Sequence, residues 1–358
     1  MEIKVFDQLL AAGMKNHASD IHFKAGSPPI FRINGEIREV KAPQLRPEDT
    51  RDIALHLLQR KDLQARIEEI QDYDTSYLLE GVGRFRVNIF RQKLSLAVVM
   101  RLIPLEVPTF EALGLPPILE QIAMQERGMI LVTGITGSGK SSTLAAMIGC
   151  VNKNRRKHIL TIEDPIEFVH SDDKSSVSQR EIGLDTKDFG EALRRALRQD
   201  PDVILVGEMR DYETVDIALK AAETGHLVFS TVHTTDAPRT INRLVGVFPA
   251  DEQPLVRLRL AESLRAVISQ RLLPKKDGKG RALAVEVMVN TMSISDCIKD
   301  PEKTYQMKEY IEKGHDQYGM QGFDQSLTQL YKSGQVSLEV AKSAASNPAD
   351  FERALYVE

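Results

Sequence analysis

The segment Gly128–Thr143 constrains the fold of this chain more than any other stretch of its sequence. An apolar run, Met129–Val132, predicts a buried strand, and Leu144–Val151 has the apolar periodicity of a helix. Between them, Gly134-Ile-Thr-Gly-Ser-Gly-Lys-Ser141 contains three glycines, which allow a backbone to turn several N–H groups toward one point. A glycine loop between a strand and a helix is typical of a phosphate-binding P-loop; the alternative is a glycine-rich turn that binds nothing.

Each residue type in this loop has a chemical reason to be there. The N-terminus of the following helix adds partial positive charge where the loop amides converge. Lys140 is expected to reach the β- and γ-phosphates of a nucleoside triphosphate, and the Ser141 hydroxyl is expected to help hold Mg²⁺. The residues that we expect to bind ATP are Gly134, Thr136, Gly137, Ser138, Gly139, Lys140, Ser141 and Ser142.

Composition limits the classes of protein that this chain can belong to. Its 358 residues are enough for two domains, and no apolar run approaches the roughly 18 residues that span a bilayer. The N-terminus lacks a signal-peptide pattern, so we expect a cytoplasmic protein. Cys150 and Cys297 provide neither a disulfide framework nor a zinc quartet. The net charge of −4 argues against a dedicated nucleic-acid binder, although it leaves room for a local basic groove.

Residues 1–103 predict a small α+β domain. The apolar spacing of residues 3–16 indicates an amphipathic helix, and residues 20–23 indicate a short strand. Alternation around Asn34-Gly35 predicts a hairpin over residues 28–40. Two further helices over residues 47–60 and 63–70 precede a three-stranded meander that covers residues 73–103.

A cluster of prolines and a glycine predicts a linker at residues 104–117. From Ile118 to residue 290, strands and helices alternate, which predicts a parallel sheet with crossover helices. The predicted core strands are Met129–Val132, Ile159–Ile162, Val203–Val206 and Leu227–Thr231.

The last third of the chain is predicted to be mainly helical. Residues 251–273 have a helical pattern, and a helical C-terminal region covers residues 291–358. Between these patterns, the basic run Pro274–Arg281 is interpreted as a solvated hairpin loop that leads into the strand Ala282–Val289. A contact with nucleic acid is the minor alternative for this run.

Three of the predicted core strands end in acidic residues or a histidine. Glu163 follows one strand, Glu208 the next, and His233 the third. Ligands bind outside the carboxyl ends of the strands in an open parallel sheet, so these side chains are expected to face the same ligand as the P-loop. We predict that Glu208 activates water, that Glu163 shares this role or joins Glu208 around Mg²⁺ through water, and that His233 senses the γ-phosphate. The alternatives are strand-end carboxylates that cap helices and a structural histidine.

Five blocks of sequence resemble the type II/IV secretion and pilus ATPase superfamily, and most closely its PilT-type pilus retraction ATPases. The resemblance covers nearly the whole chain. The blocks are Gly134-Ile-Thr-Gly-Ser-Gly-Lys-Ser, Ile162-Glu-Asp-Pro-Ile-Glu, Arg198-Gln-Asp-Pro-Asp-Val-Ile-Leu-Val-Gly-Glu-Met-Arg-Asp, Ala218-Leu-Lys-Ala-Ala-Glu-Thr-Gly-His and Leu227-Val-Phe-Ser-Thr-Val-His-Thr-Thr-Asp.

This resemblance implies an α/β fold: a PAS-like N-terminal α+β domain, a RecA-like P-loop ATPase core and a homohexameric ring. It also implies arginines of the N-terminal domain that reach nucleotide phosphates, and Arg86 and Arg101 match them by position in the meander. From the residues alone, these are two arginines on adjacent strands, and a plain surface position is the alternative. The functional interpretation has a physical basis, because a planar guanidinium suits phosphate and domain motion can control its arrival.

The function that the resemblance implies is ATP-driven retraction of a type IV pilus, the basis of twitching motility. The partners would be an inner-membrane platform protein and a paralogous retraction ATPase, the location would be the cytoplasmic face of the inner membrane at the pilus base, and no nucleic acid is expected. The family's extension and secretion ATPases commonly carry a four-cysteine zinc motif, which two distant cysteines do not supply. The alternatives are an accessory PilU-type ATPase, an extension ATPase, a RecA-like nucleic-acid translocase and a nucleotide-binding scaffold without turnover.

One segment departs from the retraction ATPases. They carry a C-terminal segment of the form Ala-Ile-Arg-Asn-Leu-Ile-Arg-Glu that is implicated in retraction, and here the matching stretch is Asp296–Met307. Pro301 is expected to interrupt the helix in this stretch. The departure leaves ATP hydrolysis unaffected and bears on how strongly the chain couples to the platform.

Overall fold

The computed structural model describes residues 2–33, 35–58, 60–103 and 106–357. The chain divides into two units. The first comprises Met1–Glu106 with Glu167–Val169, and the second comprises Val107–Ile166 and His170–Glu358. Each unit has its own hydrophobic core.

The first unit is an antiparallel six-stranded sheet covered on one face by helices. Its elements are α1 (Ile3–Lys15), β1 (Asp20–Lys24), β2 (Ile30–Ile33), β3 (Glu36–Glu39), α2 (Pro47–Leu57), α3 (Lys61–Ala65), a 3₁₀ turn (Ile67–Glu69), β4 (Asp72–Leu79), β5 (Gly83–Gln92) and β6 (Ser95–Ile103). The strand order is β3-β2-β1-β6-β5-β4.

Alternating residues decide which face of this sheet is buried. In β5, Phe85, Val87 and Ile89 are fully buried and pack with Phe6 of α1 and Ile53 of α2. The intervening side chains of β5 lie on the other face, as the period of a strand requires.

Most sequence predictions for the first unit are confirmed. The helix over residues 3–16, the short strand and the meander are all present. The hairpin is present as β2 and β3, with Ile33 opposite Glu36; Asn34 of the predicted turn lies outside the described residues. The helix predicted over residues 63–70 is instead the short α3 followed by a 3₁₀ turn.

The second unit is built on a seven-stranded sheet in the order β13-β12-β7-β11-β10-β8-β9. Neighbouring strands are parallel except for β13, which pairs antiparallel with β12 at one edge. The elements are α4 (Phe110–Leu113), α5 (Ile118–Ala123), β7 (Gly128–Thr133), α6 (Lys140–Asn154), β8 (His158–Glu163), β9 (Ser176–Glu181), α7 (Phe189–Ala196), β10 (Val203–Val206), α8 (Tyr212–Glu223), β11 (Leu227–Val232), α9 (Ala237–Val245), α10 (Gln253–Ser263), β12 (Leu264–Pro274) and β13 (Arg281–Val289).

The central strands of this sheet are buried on both faces. Every residue of β7, β10 and β11 is buried, which explains their continuous apolar sequences. One hydrophobic cluster lies on the side of α5 and α6, and the other on the side of α8 to α11. The four predicted core strands are therefore confirmed, and their carboxyl ends lie at one edge of the sheet because the strands run parallel.

One expectation for this unit is corrected. The helix predicted over residues 251–273 ends at Ser263, and Leu264–Pro274 is the strand β12. Its run of apolar and β-branched residues pairs with β7 on one side and β13 on the other, and this burial overrides the helical spacing. Within the predicted linker, Phe110 and Leu115 are buried in the cluster around α6.

The C-terminal residues form a set of short helices, as predicted. They are α11 (Met292–Lys299), a 3₁₀ turn (Thr304–Gln306), α12 (Met307–Lys313), α13 (His315–Tyr318), α14 (Phe323–Lys332), α15 (Leu338–Ala344) and α16 (Pro348–Val357). The first of them ends before Pro301, which confirms the predicted interruption, because the residue before a proline disfavours helical angles. Among the described residues, no helix is both long and apolar enough to cross a membrane.

Candidate active site

The loop between β7 and α6 has a backbone that only glycine can supply at one critical position. Gly134 has φ of +146°, and a Cβ added there would lie 2.4 Å from Ser138 Oγ and 2.7 Å from the Gln270 carbonyl oxygen. Gly137 and Gly139 also have positive φ. The loop therefore follows a tightly turned path that leads into the first turn of α6.

Lys140 is held inside this loop. Its side chain is 8% exposed, and Nζ donates to the carbonyl oxygens of Gly134 at 2.9 Å and Ile135 at 3.0 Å. Burial lowers the pKa of the ammonium group, and the nearby Glu208 partly opposes that shift. The cation is thus placed where phosphate oxygens would take over from loop carbonyls as its acceptors.

The remaining predicted ATP-binding residues lie around this cation. Thr136 and Ser141 are exposed, and Ser142 is half-buried in the first turn of α6. Ser138 is buried, and its hydroxyl has no hydrogen-bond partner within the described parts of the chain. A loop with an unsatisfied hydroxyl at the N-terminus of a helix is suited to an anionic ligand.

Glu208 and His233 lie together beside the loop. Glu208 Oε2 accepts from an Arg210 guanidinium nitrogen at 2.7 Å, and His233 Nε2 is 3.6 Å from the same oxygen. The Glu208 side chain is 19% exposed and that of His233 is 40% exposed, so both border solvent. Burial and then the Lys140 charge lower the pKa of His233, while Glu208 raises it. The net shift favours a neutral imidazole with one N–H to donate.

Glu163 ends the neighbouring strand and has a different set of partners. Its Oε1 accepts from Thr161 Oγ1 at 2.7 Å and from Gln179 Nε2 at 3.2 Å. The backbone of Gly207 runs beside it, since a Cβ at Gly207 would lie 3.4 Å from Glu163 Cα. Glu163 therefore lies next to the strand end that carries Glu208, with its carboxylate oriented by residues of β8 and β9.

The donor set suits Mg²⁺ bound with a nucleotide better than a metal held by protein alone. No group of three or more His, Cys, Asp or Glu side chains within the described ranges could hold a metal ion. Mg²⁺ takes oxygen ligands and usually keeps several waters and substrate phosphates. The exposed Ser141 hydroxyl, with the carboxylates of Glu208 and Glu163 acting through water, fits that requirement.

The two predicted arginines of the first unit lie directly opposite one another, Arg86 on β5 and Arg101 on β6. Arg101 Nε donates to Asp20 Oδ1 at 3.0 Å, and its side chain is 66% exposed. Arg86 is half-buried. The structure confirms their placement on adjacent strands of one sheet; their role at a nucleotide stays a prediction.

One residue at the loop was not anticipated from the sequence. Arg281, the first residue of β13, donates to the Gly137 carbonyl oxygen at 3.2 Å. The hairpin loop before it was predicted, but its contact with the P-loop requires β12 to lie beside β7. Because the sequence pattern of β12 indicates a helix, the contact of Arg281 with the P-loop could not be predicted from the sequence.

A doubly covered parallel sheet, with this glycine loop, a buried lysine and acidic strand ends, defines a P-loop nucleotide-binding protein. Comparison with known proteins narrows the class. The chain belongs to the type II/IV secretion system protein family, whose model matches residues 1–337.

Individual relatives and solved structures agree with this assignment. The chain is 48% identical to the type IV pilus retraction ATPase PilT of Pseudomonas aeruginosa over 347 residues. The alignment covers 96% of this chain and 99% of that protein. It is 41% identical to the type IV pilus ATPase PilU of the same organism, over 96% of this chain and 90% of that protein. A crystal structure of the pilus retraction motor PilT with bound ADP superposes with a TM-score of 0.89, at 46% identity, over 97% of this chain and 98% of that one. The RecA-like core with a smaller N-terminal domain is thereby confirmed.

Proposed function

We propose that this protein is an ATP-hydrolysing motor that powers retraction of a type IV pilus. The observation that carries this function is the joint placement of Lys140, Glu208 and His233 beside the glycine loop. Near-complete alignment with a retraction ATPase at 48% identity supports the same function.

The loop binds the triphosphate of ATP. Backbone amides of the loop and of the first turn of α6 donate to the phosphates, and Lys140 exchanges its two carbonyl acceptors for phosphate oxygens. Ser141, with Glu208 and Glu163 through water, would hold Mg²⁺ bound with the nucleotide, and the ion would supply positive charge next to the phosphates.

Glu208 is the water-activating base. It accepts a proton from water as the water oxygen bonds to the γ-phosphorus and the bond from that phosphorus to the bridging oxygen of ADP breaks. His233 lies 3.6 Å from the Glu208 carboxylate, and as a neutral imidazole it donates its N–H to the γ-phosphate. Glu163 serves as the second carboxylate, since its strand end adjoins that of Glu208.

Arg86 and Arg101 contact nucleotide phosphates during turnover, a contact that suits a planar guanidinium. Their position on neighbouring strands of one sheet supports a shared role.

The motor assembles as a homohexamer and acts on an inner-membrane platform protein at the cytoplasmic face of that membrane. Each cycle of hydrolysis turns the platform so that pilus subunits leave the fibre. An accessory retraction ATPase of the PilU type is the second candidate, supported by 41% identity to that protein. The broken helix before Pro301 bears on this choice, since it changes the segment that we match to the retraction signature.

The test is pilus length and retraction in cells that lack the gene and are complemented with wild type, Glu208→Ala or the matched surface control Glu262→Ala. Long pili that shorten only with wild type or the control would support a retraction motor. Loss of pili on deletion would indicate an extension motor. If deletion has no effect, the same complementation in a strain that also lacks the paralogous ATPase separates an accessory motor from an unrelated role.

A purified-protein assay accompanies this test. Glu208→Ala is expected to bind ATP like wild type and to lose about two to four orders of magnitude in turnover, because it removes the base and leaves the phosphate loop intact. Turnover near the wild-type level would remove Glu208 from this role. Stimulation of wild type by single-stranded DNA would favour a nucleic-acid translocase.

A further inference from the structure

The residues just before the P-loop and just before His233 share one row of the central sheet. Val232 at the end of β11 pairs with Thr133 at the end of β7. Thr133 pairs in turn with Ser269 of β12, and Ser269 pairs with Glu286 of β13. This row therefore runs from the base of the active site to a carboxylate on the edge strand.

Glu286 connects that row to the helix that follows His233. Its side chain is 4% exposed, and Oε1 accepts both from the Ala237 backbone N–H at 2.8 Å and from Ser269 Oγ at 3.0 Å. Ala237 is the first residue of α9, so the connection His233–Asp236 is fixed at both ends. One end is Val232 in the row, and the other end is Ala237 on the Glu286 carboxylate.

The charge of Glu286 matters for this contact. An anion is stabilised at a helix N-terminus, where the backbone N–H groups point at it. Burial is the main cause that raises the pKa of Glu286, to about 7; Asp236 adds to the rise, and Lys308 opposes it. The Arg271 guanidinium also faces this group. The carboxylate thus changes its charge near neutral pH, and with it the strength of its hold on α9.

We propose that Glu286 is a positioning residue for ATP hydrolysis, which holds the start of α9 so that His233 stays beside Glu208 and the phosphate loop. This inference rests on the proposed ATPase activity. It assigns a task to a buried carboxylate that the proposed hydrolysis mechanism does not use. A longer or looser His233–Asp236 connection would let the imidazole move away from the γ-phosphate.

The direct test is Glu286→Gln, which keeps the shape and the acceptor oxygen but removes the charge. We expect about a tenfold fall in kcat with unchanged ATP affinity, since the phosphate loop is untouched. Wild-type kcat should rise with pH between about 6 and 8 as Glu286 ionises, and the variant should lose this rise. The matched control is Ser326→Ala on α14, which removes another buried hydrogen bond of β13, the one that the Val285 N–H donates to Ser326 Oγ. It should keep the wild-type pH profile.

A double-mutant cycle decides whether Glu286 acts through His233. In a His233→Gln background, Glu286→Gln should lower kcat less than twofold further, because the positioned group is already gone. Independent, multiplying effects of the two substitutions would overturn the proposal, as would a single variant with wild-type kcat and pH profile. If Glu286→Gln does not fold, Ser269→Ala in the same cycle replaces it, since it removes one of the two donors to the carboxylate.

Failure of the proposed function is recognised separately. A wild-type protein without ATP turnover would count against the ATPase assignment. Hydrogen exchange of peptides covering 233–240 would then test, independently of turnover, whether Glu286 anchors the start of α9. Faster exchange in Glu286→Ala than in Ser326→Ala supports the anchor, and equal exchange in the two variants refutes it.

Discussion

Arg257 offers a prediction whose magnitude follows from its contacts. This arginine of α10 is 8% exposed, and its guanidinium donates to the Ile298 carbonyl oxygen at 2.9 Å, Thr304 Oγ1 at 3.3 Å and Asn242 Oδ1 at 3.0 Å. It therefore joins α9, α10, the end of α11 and the 3₁₀ turn. None of these three acceptors is a carboxylate, and burial lowers the pKa of Arg257.

The substitution Arg257→Met should destabilise this region by about 2 to 4 kcal/mol. Two of the three acceptors are buried, and leaving a buried acceptor unpaired costs about 1 to 3 kcal/mol each. Relief from burying the guanidinium offsets part of that cost. The expected loss of about 3 kcal/mol corresponds to roughly a hundredfold faster hydrogen exchange in peptides of α10 and α11.

Two variants control this measurement. Arg243→Met replaces an exposed arginine on α9 and should change exchange little, since surface substitutions usually stay within about 0.5 kcal/mol. Thr304→Val removes one acceptor and should cost about 1 kcal/mol. The proposed role of Arg257 in joining these helices would be refuted by less than threefold faster exchange in Arg257→Met. Equal changes in the two arginine variants would refute it as well.

Four further substitutions test the nucleotide site. Gly134→Ala should abolish ATP binding measured by calorimetry, because its Cβ would lie within 3 Å of neighbouring atoms; wild-type affinity would contradict the close approach. Arg281→Ala should weaken ATP binding about two- to tenfold through the loss of one charged contact with the loop at Gly137, and unchanged affinity would make that contact incidental. Arg86→Ala and Arg101→Ala should each lower turnover at least tenfold without changing ATP binding to the loop, and normal turnover in both would assign them to the surface.

Sequence periodicity predicts the strands that carry the chemistry because they are short, apolar and bounded by polar residues. The ends of β7, β8, β10 and β11 therefore place Lys140, Glu163, Glu208 and His233 at one edge before any coordinates are known. What the sequence leaves out is the order of the strands. Strand order depends on packing between helices and sheet that no local pattern encodes.

The strand β12 shows how one wrong prediction of secondary structure prevents the prediction of contacts elsewhere in the site. Its residues Leu264–Leu273 satisfy both a helical and a buried-strand pattern, since a strand covered on two faces needs no alternation. Once it is taken as a helix, Arg281 has no reason to lie near the P-loop, and Glu286 has no reason to face Ser269. Both contacts arise only from the pairing of β12 with β7 and β13.

The observed strand order also explains why His233 belongs to the site although it lies on an exposed connection. Because β11 runs between β7 and β10, the residue that follows β11 lies between the phosphate loop and Glu208. Lys140 and Glu208 shift the pKa of its imidazole in opposite directions. The pKa of His233 should therefore change when either neighbour changes its charge, and also when a negatively charged γ-phosphate binds nearby. The same row of paired residues that ends β11 and β7 reaches Glu286 on β13. Under the proposal for Glu286, the alignment of the site therefore depends on a carboxylate that takes no part in the reaction itself.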